Sequence, residues 1–218
     1  MREPVVSGPA GGSAAAERDR RRARQAERQE HFREQHPILS RVAQVLVPEP
    51  DAGRRYAVGA VGEQKVGAAL DRLRDRGVIT LHDRRLPRST ANIDHLVIAP
   101  SGVWVVDTKR YKGRLQRSGG GLRVNGRDRT SLILGVQKQL DQVRRALARA
   151  GDDAVPVLGV LCFVDVEIGL MQRPFTLEGV AVTWPKPLAK LLVMPGPLTD
   201  DDRLGVLRHL ADAFRPAL

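Results

Sequence analysis

Apolar residues recur every three or four positions in three segments of the chain, which is the spacing of an amphipathic helix. The segments are 57–74, 131–150 and the stretch after Thr199, a residue type that commonly caps a helix. Gly77 and Gly151 follow the first two segments, and glycine often ends helices. A further short helix is predicted over 188–193. The predicted buried faces are Val66, Leu70 and Leu73; then Leu132, Val136, Leu140, Val143 and Leu147; and last Leu204, Leu207, Leu210 and Phe214.

Short segments that alternate between apolar and polar residues, or are apolar throughout, lie between these helices and predict strands. Pro100-Ser101-Gly102 separates two of them and is typical of a hairpin, and Asn125-Gly126 predicts a tight turn. The predicted strands are 78–82, 92–99, 103–110, 113–116, 122–124, 155–164 and 179–184. The order of elements predicts an α/β domain with a mixed β-sheet flanked by helices.

The first quarter of the chain differs in composition from the rest. Residues 1–16 are mostly small, which predicts disorder, and residues 17–36 are charged or polar with no apolar stripe. Residues 38–47 are amphipathic and precede Pro48-Glu49-Pro50. We therefore expect a disordered or helical charged N-terminal extension over 1–53 and a folded domain over 54–218. Residues 17–47 would be the arm through which the chain contacts a separate protein partner.

The charge of the chain is unevenly placed. The 36 basic and 25 acidic residues give a formal net charge of +11, and residues 71–130 hold 14 Arg or Lys against 6 Asp or Glu. A basic field of this kind favours a polyanionic partner, while the alternative is an arginine-rich solvated surface. A single cysteine, Cys162, excludes an internal disulfide and fits the cytoplasm. No apolar run is long enough for a transmembrane helix, so no membrane partner is expected.

Two charged residues continue an apolar strand face at the end of one predicted strand. Asp107 and Lys109 lie on the same face as Val103 and Val105, because side chains alternate along a strand. Antiparallel pairing of the hairpin would bring Asp94, on the preceding strand, within reach of Asp107. Two carboxylates meeting in this way suit Mg²⁺, with Lys109 placed to orient or help deprotonate the attacking water and to offset phosphate charge. The alternative is a surface ion pair between Asp107 and Lys109.

Four separated elements resemble the nuclease-related domain (NERD) family, in order and over about residues 57–150. They are Gly62-Glu63 at the first helix, the segment Asn92-Ile93-Asp94-His95, the strand from Val103 to Asp107-Thr108-Lys109, and Tyr111 with Gly113 after it. The acid before the lysine is aspartate where such proteins often carry glutamate. Ile93, not proline, precedes Asp94. The resemblance implies the restriction-endonuclease-like fold of the PD-(D/E)xK superfamily.

The same resemblance implies a set of site residues. Asp94, Asp107 and Glu63 would be the metal ligands, for Mg²⁺ or Mn²⁺, and Lys109 the lysine of the motif. Gln139 is the better candidate than Gln137 for the helix glutamine, because it flanks the predicted buried face. For Glu63 the alternative is a place in the first helical turn that the helix dipole favours. His95 directly follows Asp94 and should face the other side of the sheet, in a structural role.

Basic residues cluster after the motif and would bind a nucleic-acid backbone. They include the predicted nucleic-acid-binding residues Arg110, Lys112, Arg114, Arg127 and Arg129. The hypothesis is a divalent-metal-dependent nuclease that hydrolyses phosphodiester bonds, with DNA as substrate. Two alternatives stay open: a nucleic-acid-binding module without activity, and a protein-interaction module that retains the fold.

Overall fold

The protein is described by a computed structural model over residues 51–217. Its helices are α1 (Asp51–Asp71), α2 (Ser131–Arg149), α3 (Pro185–Leu192) and α4 (Asp200–Ala213), with a 3-10 turn at Arg74–Arg76. Its strands are β1 (Ile79–Arg85), β2 (Asn92–Ala99), β3 (Gly102–Ser118), β4 (Gly121–Val124), β5 (Arg127–Asp128), β6 (Val157–Glu167), β7 (Phe175–Leu177) and β8 (Val180–Thr183). The proposals for residues 1–50, including the partner-binding arm, lie outside the described residues.

One mixed sheet organises the domain, as the sequence predicts. The strand order is β1-β2-β3-β6-β8-β7, with β3, β6 and β8 parallel to one another and the other neighbours antiparallel. Helices α2 and α4 pack on one face through Val136, Leu140 and Leu210, while α1 and α3 pack on the other through Leu70 and Leu188. The sheet is therefore covered on both faces, and the central strand β6 is apolar for that reason.

Helix ends follow the local chemistry that the sequence indicates. Gly77 adopts a left-handed conformation after the 3-10 turn, with φ at 76°. Thr199 caps α4 by accepting a hydrogen bond from the backbone N–H of Asp202, whose carboxylate in turn accepts from the Thr199 N–H. The predicted Leu210 and Phe214 of α4 are buried, but the expectation for Leu204 is wrong: it is 44% exposed, and Val206 faces the core in that part of the helix.

Strand β3 is one strand of 17 residues where the sequence predicts two, 103–110 and 113–116. Its pairing with β6 shifts between Arg110 and Gly113, so that a bulge separates the two halves. Asn125 fills this interruption: its side-chain amide accepts from the Arg114 N–H at 2.9 Å and donates to the Lys112 carbonyl at 3.0 Å. The long strand carries both the candidate site and the basic residues that follow it.

No helix in the 51–217 portion has the length and apolar character needed to cross a membrane.

Candidate active site

The β2–β3 hairpin brings Asp94 and Asp107 to the same level of the sheet. Its register pairs His95 with Val106, and the same register continued by one residue places Asp94 opposite Asp107. Side chains two positions apart on a strand point to the same face, so Asp94 shares a face with Leu96 and Asp107 shares it with Val105. Leu96 and Val105 belong to the core that packs against α2 and α4. The two aspartates therefore belong to one face, at a point where apolar positions give way to charged ones.

Short polar contacts connect these residues. The backbone N–H of Thr108 donates to Oδ2 of Asp94 at 2.7 Å. Lys109 Nζ lies 2.6 Å from Oδ2 of Asp107 and 3.3 Å from the Thr108 carbonyl. The Lys109–Asp107 contact is a short ion pair between a partly exposed ammonium and a buried carboxylate. Asp107 is thus neutralised by Lys109, and a cation at this site would compete with Lys109 for the same carboxylate.

Helix α1 carries Glu63 to the same region. Gly62 lets the helix approach β3 closely, since a Cβ at this position would lie 3.0 Å from the Cβ of Arg110. Glu63 is only partly exposed, and burial together with the nearby charge of Asp83 raises its pKa to about 7, although Lys109 opposes this. Helix α1 begins at Asp51, so Glu63 lies in the middle of the helix and not in a first turn where the helix dipole would favour an acid.

The charges at this site are mutually dependent. Burial and the charge of Asp107 raise the pKa of Asp94 well above its usual range, against the Thr108 hydrogen bond, which lowers it. Burial lowers the pKa of the Lys109 ammonium, but Asp107 and Asp94 outweigh burial and raise it overall. Lys109 is therefore held protonated at neutral pH, and the site places one ammonium among the carboxyl groups of Glu63, Asp94 and Asp107.

Asp83 is a site neighbour that sequence reasoning missed. The β1–β2 register pairs His82 with His95 and Arg84 with Ile93, so Asp83 falls between them at the level of Asp94. Three adjacent strands thus carry an aspartate in one row. Asp83 is buried, has a φ of 50°, and accepts a hydrogen bond from the Asn92 amide at 3.2 Å. The predicted strand ended at His82, and the acid after it was the one signal in the sequence.

The two helix glutamines are placed differently. Gln139 is 8% exposed, and its Oε1 is buried without a hydrogen-bond partner. Gln137 instead donates from Nε2 to the Glu178 carbonyl at 3.0 Å, near strand β7. Gln139 is on the face of α2 that packs on the sheet, as the helical spacing predicts. An unsatisfied buried acceptor costs stability unless a further group completes it.

The residues present fit a hard divalent cation by their chemistry. In the described part of the chain, no three acidic, histidine or cysteine side chains already stand in a metal-binding cluster. Glu63, Asp94 and Asp107 nevertheless offer the carboxylate oxygens that Mg²⁺ prefers, and the buried Oε1 of Gln139 has no hydrogen-bond partner in the described residues. Lys109 pairs with only one of the three carboxyl groups, so a bound cation would offset both the burial and the Asp107 charge that raise the pKa of Asp94.

The predicted nucleic-acid-binding residues have different surroundings. Lys112, Arg114 and Arg127 are exposed. Arg110 is held in an ion pair, with Nε 2.5 Å from Asp165, which Lys65 of α1 also contacts at 2.7 Å. The guanidinium of Arg129 lies over the Tyr111 ring, 5.3 Å from its centroid. Asp165 of β6 thus connects β3 to α1 through Arg110 and Lys65, so Arg110 has an ion-pair partner that Lys112 and Arg114 lack in the described residues.

His95 lies on the opposite face from Asp94 and is fully buried. Its Nδ1 is 2.9 Å from Nδ1 of His82, whose Nε2 is 3.0 Å from the Asp71 carboxylate. Burial lowers the pKa of His95 to about 3, with a smaller contribution from His82. His95 is therefore neutral at physiological pH and joins β2 to β1 and α1 behind the site.

Comparisons with known proteins identify this part of the chain. Residues 58–164 match the family model of the nuclease-related domain, a span that contains Glu63, Asp94, Asp107, Lys109 and Gln139. An uncharacterized protein of Bacillus anthracis is 35% identical over 75 residues, which are 32% of this chain and 35% of that protein. The chain thus matches about a third of that relative's length. No solved structure matches the chain. The chain therefore carries, over residues 58–164, a nuclease-related domain of the restriction-endonuclease-like superfamily.

Proposed function

We propose that the protein is a divalent-metal-dependent nuclease that hydrolyses phosphodiester bonds, with DNA as its substrate. The observation that carries the proposal is the placement of Asp94 and Asp107 opposite each other on one face, with Lys109 in contact with Asp107. Charged side chains at a partly buried strand position are costly without a function that uses them. The nuclease-related domain over residues 58–164 supports the same reaction class, phosphodiester hydrolysis.

Glu63, Asp94 and Asp107 are the residues that would hold the cation, Mg²⁺ or Mn²⁺. A bound divalent cation polarises a phosphoryl oxygen and lowers the pKa of a coordinated water. The chain's own groups then have separate tasks. The Thr108 N–H fixes one oxygen of Asp94, and helix α1 sets the position of Glu63. Gln139 contributes a buried carbonyl oxygen that is suited to orienting water.

Lys109 acts as a cation in this scheme. Burial lowers the pKa of this ammonium, but Asp107 and Asp94 outweigh burial and raise it, which favours a role as hydrogen-bond donor over that of a general base. The ammonium would donate hydrogen bonds to the attacking water or to a phosphate oxygen, and would stabilise negative charge that develops there. Lys109 would exchange its contact with Asp107 for these partners when a cation and phosphate are bound.

The decisive experiment incubates the full chain with circular, linear and single-stranded DNA and with RNA, in Mg²⁺, in Mn²⁺ and in EDTA. Cleavage is expected only with a divalent cation, and Asp107→Asn should lose it while the folded state survives. Asp141→Asn, an exposed aspartate on α2, is the matched control and should cleave like the native chain. Equal cleavage by Asp107→Asn and the native chain would disprove the proposal.

A nucleic-acid-binding module without turnover is the second candidate. The observation that favours it is the 2.6 Å contact of Lys109 with Asp107, which satisfies this carboxylate without a metal ion. Salt-dependent DNA binding with no cleavage in any cation would select this candidate. A protein-interaction role would instead require that deletion of residues 17–47 abolishes partner binding.

The buried thiol of Cys162, whose pKa is raised by burial, is compatible with the proposed cytoplasmic location.

A further inference from the structure

A cleft lies beyond the candidate active site, between the β3–β4 hairpin and the connection from β6 to β7. It has a volume of about 340 Å³, and its lining residues are Arg114, Gln116, Arg117, Gln172, Arg173 and Phe175. Three of the six side chains are cationic and none is acidic. None of the three arginines forms an ion pair within residues 51–217. The cleft thus presents unneutralised positive charge to solvent.

The connection from β6 to β7, residues 168–174, projects two apolar side chains beside this cleft. Leu170 and Met171 are 104% and 92% exposed, the highest values among the exposed large apolar residues of the described chain. The loop itself is held by its base: Gln172 N–H donates to the Gly169 carbonyl at 2.8 Å, and Gly169 N–H donates to Gln172 Oε1 at 3.4 Å. Exposing two large apolar groups on a braced loop is unfavourable unless a partner covers them.

The cleft and the loop form one surface. Arg114 lies against Gly169 at the start of the loop, and Arg117 lies over the Phe175 ring, 5.7 Å from its centroid. Arginine stacked on an aromatic ring keeps its donors directed outward, and fork-shaped guanidinium groups match phosphate oxygens. Gln172 Nε2 is buried without a hydrogen-bond partner and adds a neutral donor at the cleft. The chemistry is that of a site for a phosphodiester backbone.

We propose that this surface binds duplex DNA, with Arg114, Arg117 and Arg173 on the phosphates and Leu170 and Met171 inserted between base pairs as a wedge. The inference rests on the proposed nucleic-acid substrate and adds where and how the duplex is gripped. Leucine and methionine are side chains that unstack base steps when flanking cations hold the backbone. Arg173 lies on the same loop as the apolar tip, and Arg114 and Arg117 of β3 line the cleft beside it.

The distance to the candidate active site suits this arrangement. Arg114 follows Lys109 by five residues on β3, at most about 16 Å at roughly 3.3 Å per residue. That length corresponds to about five base-pair steps along a duplex. A duplex held at the cleft would therefore reach Asp107 a few nucleotides from the wedge.

The first test measures binding without turnover. The full chain with Asp107→Asn is titrated onto a labelled duplex by fluorescence anisotropy at several salt concentrations. Joint replacement of Arg114→Gln, Arg117→Gln and Arg173→Gln should make the slope of log affinity against log salt shallower by about 2 to 3, since each phosphate contact contributes roughly 0.9. The control replaces three exposed helix arginines, Arg145, Arg149 and Arg208, by glutamine, and should leave the slope unchanged. Equal effects of the two triple variants would overturn the proposal.

The second test detects the wedge directly. A duplex with 2-aminopurine reports unstacking as increased fluorescence, and the native loop should produce this increase. Leu170→Ser with Met171→Ser should abolish the increase and change affinity by less than tenfold, while Leu134→Ser with Met194→Ser, exposed elsewhere, should retain it. An unchanged signal in the loop variant would overturn the wedge. The wedge would also be overturned if the loop variant keeps the 2-aminopurine signal but no longer binds vesicles or no longer self-associates. The first loss would assign the loop to a lipid partner, and the second to a protein partner.

Both tests can be read without cleavage. If the native chain binds and unstacks DNA but cuts none in any cation, the proposed nuclease activity fails and the surface stands. If the native chain cuts DNA and neither arginine nor loop variants alter binding, the surface fails and the nuclease activity stands.

Discussion

The carboxylate of Asp94 accepts a 2.7 Å hydrogen bond from the backbone N–H of Thr108, the residue between Asp107 and Lys109. This contact fixes Asp94 to the strand that carries the other two motif residues. It also opposes the effect of burial, which raises the pKa of the Asp94 carboxyl. The side chain is therefore positioned by the backbone before any ligand binds, a form of preorganisation that electrostatic catalysis requires.

Replacing Asp94 by asparagine and by alanine should separate its structural from its chemical role. Asparagine keeps an oxygen for the Thr108 N–H, whereas alanine leaves that donor without its partner, at a cost of about 1–3 kcal/mol. We expect Asp94→Asn to be the more stable variant in urea unfolding and both variants to lose metal-dependent cleavage. Equal stability of the two variants would contradict a positioning role for the Thr108 contact.

The hydrophobic pattern was sufficient to predict the hairpin and the shared face of Asp94 and Asp107, because period-two alternation fixes which side chains point together. The pattern was not sufficient to place Asp83 beside the site. This residue follows the end of the predicted strand, and its φ of 50° departs from strand geometry. The bulge that joins the two halves of β3 depends on the Asn125 side chain, 11 residues from Arg114 in sequence. Contacts of that range are set by tertiary packing, which a local pattern does not contain.

The same limit applies to the basic residues. Charge clustering after the motif indicated a nucleic-acid-binding segment, but Arg110 is engaged by Asp165, a residue of the distant strand β6. Arg173 and the exposed pair Leu170 and Met171 lie outside the segment that charge counting singled out. The cleft forms only when β6 pairs in parallel beside β3, so the sequence order of charges could not place it.

Glu63 should make the stability of the metal-free protein depend on pH. Its folded-state pKa is about 7 against an ordinary 4.5, so the folded state binds this proton more tightly than the unfolded state. The stabilisation that results is present at pH 4.5 and below, and is lost as pH rises to 7. Glu63→Gln does not titrate at this position. The difference in unfolding free energy between Glu63→Gln and the native chain should therefore shift in favour of the variant from pH 5 to pH 8. The shift is at most about 3 kcal/mol, and less after solvent screening.

The measurement is chemical unfolding in EDTA at both pH values, with the exposed residue Glu167→Gln as control. A pH-independent difference between Glu63→Gln and the native chain would contradict the raised pKa. Addition of Mg²⁺ at pH 8 should stabilise the native chain more than Glu63→Gln, because the cation favours the ionised carboxylate.

His95 should destabilise the fold in mild acid. Burial lowers its folded-state pKa to about 3, while the unfolded value is about 6.5, so the unfolded state takes up the proton first. Stability is then full above pH 6.5 and falls as pH decreases toward 3, by about 2 kcal/mol between pH 6.5 and 5. Glutamine does not titrate, so in urea unfolding the free energy of unfolding of His95→Gln should fall by that much less than that of the native chain over the same pH interval. A parallel decline in both proteins would show that His95 becomes protonated in the folded state.

Gly113 should be intolerant of any side chain. Its φ is 99°, and a Cβ would lie 2.0 Å from Oδ1 of Asn125, the side chain that bridges Lys112 and Arg114. Gly113→Ala must therefore strain the backbone and displace two hydrogen bonds, at a combined cost of about 3 kcal/mol. Gly120→Ala is the matched control, because its φ is 76° and nothing lies within 4 Å of its Cβ position.

The comparison isolates what the bulge contributes. Gly120→Ala should lower the thermal midpoint only through backbone strain, whereas Gly113→Ala should lower it further. In chains that also carry Asp107→Asn to prevent cleavage, Gly113→Ala should weaken DNA binding as well. The second effect follows because Gly113 sets the direction of the hairpin that carries Arg114 and Arg117 to the cleft. If both alanine variants lose the same stability, the Asn125 bridge does not hold the bulge. If Gly113→Ala is destabilised yet binds DNA with native affinity, the hairpin direction is irrelevant to binding and the cleft is not where the duplex lies.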